Sequence, residues 1–254
     1  VLTLEYSAPV EVALSLIAAL IATAFTVDLY RGWRERRRFH AEVWTLAFAA
    51  YALASWALVV GLANGWTSLT FRLFYFLGAI ANIPLLAVGS IALKSTRAGR
   101  LAANGTYLWL VFGFFATFFA PFAGAFPEEG IPDGSDLFEF TFMLEALTLP
   151  GPRLFAAISG AVGTVVVVGL ALLTILRMRT TNPALVRGNA LIVVGTLVPA
   201  FGGLLTAFGD SGGLAISLAV GISLLWLGYR AASSARSGDD ERSNGSETEA
   251  ALEG

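Results

Sequence analysis

Residues 72–90 read RLFYFLGAIANIPLLAVGS. The run carries a single charge, Arg72 at its start, and an Asn82-Ile83-Pro84 step at its middle. A segment this long and this apolar is suited to crossing a bilayer as a helix, which takes about 20 residues. Arg72 then sits at the edge of the span. There its long side chain snorkels to the headgroups or pairs with a carboxylate such as Glu11, Glu139 or Asp210; the sharper alternative is a gate or ligand clamp. Pro84 has no N–H to give to the carbonyl of Ile80, so a kink is expected there. Asn82 lies at mid-membrane depth, where an amide needs a partner, and should face other helices rather than lipid.

The rest of the chain agrees with a membrane setting. Of 254 residues, 56% are apolar and only 13% are charged, and the mean hydropathy is +0.73. A soluble domain carries about 25% charged residues. Seven segments are apolar enough to span, at roughly 9–30, 40–62, 70–93, 105–126, 154–176, 188–208 and 212–230. The first lacks a basic leader and is read as an uncleaved span. The expected fold is an all-α bundle of seven transmembrane helices within residues 1–232.

Arginine and lysine set the orientation. Of the sixteen basic residues, only Arg72 and Arg153 fall at one end of the bundle; the rest lie at the other, five of them in RGWRERRRFH at 31–40. The basic end is cytoplasmic by the positive-inside rule, so the N-terminus is outside and the C-terminus inside, in the cytoplasmic (inner) membrane. The outer loop 127–153 carries six carboxylates against Arg153. Its FEFTF alternates like a strand, while DLFEFTFMLEAL as a whole also suits a short interfacial helix. It is expected to rest on the membrane or cap the bundle. Residues 233–254, rich in Ser, Gly, Asp and Glu, read as a disordered acidic cytoplasmic tail, too short for an output domain.

Candidate sites follow from polar groups at depth. Tyr51, Thr164 and Thr196 lie mid-way along their spans, level with Asn82, and Pro199 sets a second kink. Such a layer between kinked helices can hold a ligand; it can equally be the hydrogen-bonding glue of an ordinary bundle. In the fourth span Phe112, Phe115, Phe119, Phe122 and Phe126 repeat on one helix face. Phe115 and Phe119 are thus candidates to line a groove for a carotenoid, quinone or other prenyl chain; plain packing is the alternative. Ser159 with Gly163, Ser217 with Gly221, and Gly202-Gly203 permit close helix approach.

Some chemistry is excluded. With no cysteine and one histidine, there is no disulfide, thiolate or multi-histidine metal site. No Walker loop, dinucleotide fingerprint, HExxH or GxSxG occurs, and nothing points to nucleic acid. No charged residue lies near the centre of any span, which counts against a proton pump.

Two resemblances touch particular runs. IPLLAV (83–88) and AVGISLLWLGYR (219–230) faintly resemble helices of the microbial rhodopsins. The seventh span has no lysine, so no retinal Schiff base is expected; the chain's one lysine is Lys94. FRLFYFLGAIANIPLLAVGS (71–90), VRGNALIVVGTLVPAFGGLLTAFG (186–209) and ISLAVGISLLWLGYR (216–230) resemble uncharacterised seven-span membrane proteins common in actinobacteria, which implies the topology and no chemistry. The expected function is non-enzymatic: a ligand-binding, sensory or accessory module that holds an apolar or amphipathic molecule among its helices, in contact with membrane lipids and signalling, if at all, through a protein partner. The alternative is a transporter or channel for a small neutral or cationic solute.

Overall fold

A chain in lipid must satisfy its backbone polar groups internally, and helices do so within each segment. The computed structural model describes residues 8–206 and 212–252, with side chains over 9–203 and 213–234. Within them, seven helices are long and apolar enough to cross a membrane. They are α1 (Ala8–Arg36), α2 (Phe39–Asn64), a composite third span, α5 (Thr96–Phe119), α7 (Pro152–Met178), α8 (Pro183–Thr206) and α9 (Gly212–Leu252). The third span comprises α3 (Ser68–Tyr75), a π-helical turn (Phe76–Ala81) and α4 (Asn82–Lys94). The chain is a multi-pass membrane protein with the seven-helix architecture read from its sequence.

Local chemistry sets the helix ends. Thr67 and Thr70 form a capping box before α3, and Ser95 caps α5 through the N–H of Ala98. Asn182 accepts from Leu185 N (2.9 Å) ahead of Pro183 at the start of α8. Gly65, with φ of 85°, makes the turn from α2 toward α3.

α1, α2, the third span, α7, α8 and α9 touch in succession, and α9 returns to α1, closing a ring of six helices. α5 stands outside it, mainly against α4. Tryptophan N–H groups clip neighbours together: Trp56 to Thr23 Oγ1 (3.1 Å), Trp44 to Leu86 O (3.3 Å), Trp109 to Ser159 Oγ (2.9 Å) and Trp226 to Asp28 Oδ2 (3.2 Å). The outward face is apolar, with Leu53, Val165, Leu176 and Phe201 each more than half exposed. That surface suits acyl chains, not water.

Two expectations change. The fourth span lies at Thr96–Phe119 rather than 105–126. Pro121 disfavours helix in the residue before it, and the helix ends at Ala120; at the other end Ser95 starts it early. The helical face read through Phe126 is therefore cut, and Phe122 and Phe126 pack instead around Phe71. The outer segment takes the strand reading rather than the helix: β1 (Thr141–Leu144) pairs antiparallel with β2 (Leu147–Pro150) across Glu145-Ala146. Before it comes a single turn, α6 (Gly134–Leu137), with Phe138 fully buried behind it. The segment thus caps one end of the bundle. α9 runs to Leu252.

Candidate functional site

Four helices of the ring each present a polar residue to the same space. Tyr51 on α2, Asn82 at the start of α4, Thr164 on α7 and Thr196 on α8 all line one cavity of about 760 Å³. The four residues read from sequence as a mid-membrane layer are therefore brought together, and Pro199 lines the cavity as well. The space reaches toward the hairpin end, where Asp133, Ser135, Phe140 and Arg153 form its rim. Its volume falls in the range of small-molecule sites, about 300–1,000 Å³.

The cavity exists because small side chains recur one helical turn from the polar ones. Ser55 follows Tyr51 by four residues, Gly78 precedes Asn82 by four, Gly160 precedes Thr164 by four, and Gly195 and Gly203 flank Pro199 at four. Residues four apart share a face. The sequence reading named Tyr51, Asn82, Thr164 and Pro199 and, apart from Gly203, missed their small partners; that spacing was the available signal. The rim residues were missed too, because a loop's placement over a bundle leaves no periodic mark.

Most of the polar groups are already engaged. Tyr51 donates its hydroxyl to Leu218 O on α9 (2.9 Å), spanning the ring. Ser55 bonds Tyr51 O (2.9 Å), and Thr196 bonds Ile192 O (2.7 Å) within its own helix. Asn82 differs. It is 5% exposed, and its Oδ1 accepts no hydrogen bond. A buried amide left unpaired costs about 1–3 kcal/mol. Turning the carboxamide over exchanges oxygen and amino group, so the side chain can offer an acceptor or a donor to an occupant.

The π-helical turn places that amide. The Asn82 N–H reaches Leu77 O, five residues back, so the backbone carries one more residue than an α-turn. An inserted residue rotates everything after it by about 100°. Sequence called for a kink at Pro84; the helix meets Pro84 by widening just before it. Pro84 itself does not line the cavity, whereas Ile83 does.

Arg72 does not snorkel free, and among the described residues it pairs with no carboxylate. Its guanidinium donates to the carbonyls of Thr117 and Ala120 (2.9 Å to the latter) at the end of α5, and Nε donates to Ser68 Oγ (3.1 Å). It also lies 4.2 Å from the ring centroid of Phe122. The last carbonyls of a helix lack partners, and a cation there is favoured. Asp210, one of its suggested partners, lies outside the described residues. Arg72 is not on the cavity wall.

Phe115 and Phe119 are not brought to the cavity either. They stack on each other, centroids 5.7 Å apart, on the outside of α5, 52% and 63% exposed. α5 stands outside the ring, so its aromatic face looks away from the other helices' polar groups.

Among the described residues, no three metal-ligating side chains come together. The arrangement offers hydrogen bonding and apolar contact, with an unpaired carboxamide at depth. No family model, no curated protein and no solved structure matches the chain.

Proposed function

We propose that this membrane protein is a non-enzymatic binding module that holds a compact amphipathic molecule in the cavity between α2, the third span, α7, α8 and α9. The observation that carries the reading is Asn82, whose buried Oδ1 has no hydrogen-bond partner, on the wall of a cavity large enough for a ligand. The occupant is an apolar body with one polar end that bonds the Asn82 carboxamide. The loop-capped end faces outside and the arginine-rich end faces the cytoplasm, which puts the protein in the cytoplasmic membrane with its rim open outward. A sensory role would pass the bound state to a partner protein in trans.

The test is native mass spectrometry and an absorption spectrum on protein extracted gently from its own membrane, followed by a lipid and isoprenoid binding panel. A stoichiometric bound molecule is expected. Asn82→Leu should weaken it by roughly tenfold, the worth of one hydrogen bond to a buried group. Gly160→Leu should abolish it without strain, because a Cβ there meets no atom within 4 Å. Protein that emerges empty and binds nothing from the panel would sink the reading.

A further inference from the structure

A second, smaller space lies below the first, toward the arginine-rich end. Its volume is about 80 Å³, and Ser90, Lys94, Thr174 and Asn189 are on its wall. Two residues are common to both cavities, Leu86 on α4 and Leu225 on α9. Each is 6% exposed. Along the ring's interior the polar side chains thus fall in two groups, Asn82 and Thr196 above and Lys94, Thr174 and Asn189 below, with the two leucines between.

We propose that the two cavities are the ends of one passage through the helix ring, closed in this conformation by Leu86 and Leu225, and that a small uncharged solute crosses it. The proposal rests on the reading of the outer cavity as a binding site and extends it from holding to conducting.

Three observations converge. Leu86 and Leu225 stand between two mostly apolar spaces that each carry a few polar side chains, and a pinch of two leucines at such a point is the form of a hydrophobic gate. The two volumes are unequal. The outer one accommodates a small molecule, while the inner one has room for only a few waters at about 30 Å³ each, as expected of a passage wide at the hairpin end and narrow at the arginine-rich one. The charges select against ions. Asp133 and Arg153 offset each other at the rim, and among the described residues the one charged side chain on the inner wall is Lys94, bonded to Thr174 Oγ1 (2.8 Å). A cation would approach a lysine, and an anion would travel from Arg153 to Lys94 with no cationic partner between. An uncharged solute escapes that desolvation penalty.

The absence of native cysteine makes the test clean. Thr164→Cys, on the outer cavity wall, should react with a membrane-impermeant maleimide added to intact cells. In proteoliposomes, entry of glycerol and urea followed by stopped-flow light scattering should run about tenfold faster with Leu86→Ala/Leu225→Ala than with the unsubstituted protein, the equivalent of removing a modest barrier. Labelling Thr164→Cys in that background should slow entry again. Leu225→Ser serves as a second opening variant should the double variant fold poorly, with folding checked by circular dichroism and gel filtration. If Thr164→Cys labels but neither folded opening variant admits either solute faster, the passage is overturned while the binding cavity stands. If Thr164→Cys labels neither on intact cells nor after lysis, the open cavity fails and both readings fall.

Discussion

At the scale of single residues, Arg72 and Asn82 solve the same problem in opposite ways. Each is a polar side chain on an otherwise apolar span. Arg72 spends its donors on carbonyls that α5 cannot satisfy itself; Asn82 keeps an acceptor unspent. The first is structural, and its loss should show in stability. Arg72→Ala strips the end of α5 of a charge-assisted cap and should lower stability by about 2 kcal/mol, read as a drop in melting temperature in detergent. Arg72→Lys should recover only part of it, since an ammonium lacks the planar fork that reaches two carbonyls at once. A melting temperature unchanged in Arg72→Ala would show that water caps α5 equally well. Sequence sets an expectation for the depth of both residues but is silent on their partners. Depth follows from distance to the ends of an apolar run, whereas the partner of Arg72 lies 45 residues away on another helix.

At the scale of elements, the tightest seam joins α8 and α9. Gly188, Gly195 and Gly202 recur at seven residues on α8, and Gly221 and Gly228 do so on α9. A Cβ built on Gly221 would stand 2.4 Å from Pro199 Cγ and 3.0 Å from Gly195 O; one on Gly195 would stand 2.9 Å from Gly221 O. Pro199 has no N–H to return to the Gly195 carbonyl four residues before it. That freed carbonyl lies against Gly221, where any larger residue would hold the helices apart. The helix kink and the seam are therefore one feature. Gly195→Val should cost about 1–3 kcal/mol through overpacking, seen as a lower melting temperature, while Gly169→Val on α7, whose Cβ would meet nothing within 4 Å, should be near neutral. Equal melting temperatures for the two variants would refute the seam. The close approach at Ser217 and Gly221 was legible from small residues four apart. The π-helical turn was not, because a widened turn is stabilised by what surrounds it and leaves no periodic sign in FLGAIA.

At the scale of the whole molecule, charge asymmetry and cavity shape bear on the same direction. The large cavity lies toward the hairpin end and the small one toward the arginine-rich end. Positive residues are retained on the cytoplasmic side during insertion, so the cavity should open away from the cytoplasm. The hairpin offers a place to check this. Glu145 sits at the exposed turn between β1 and β2, and Arg37 at the turn between α1 and α2. In a chain without cysteine, Glu145→Cys should react with an impermeant maleimide on intact cells and Arg37→Cys only after lysis. The arginine bias, 14 of the 16 basic residues at one end, makes this strong even though no single loop decides it. The opposite labelling pattern would turn the cavity toward the cytoplasm. A ligand would then reach Asn82 from inside the cell, and the uncharged solute inferred above would leave by way of Lys94 rather than arrive there.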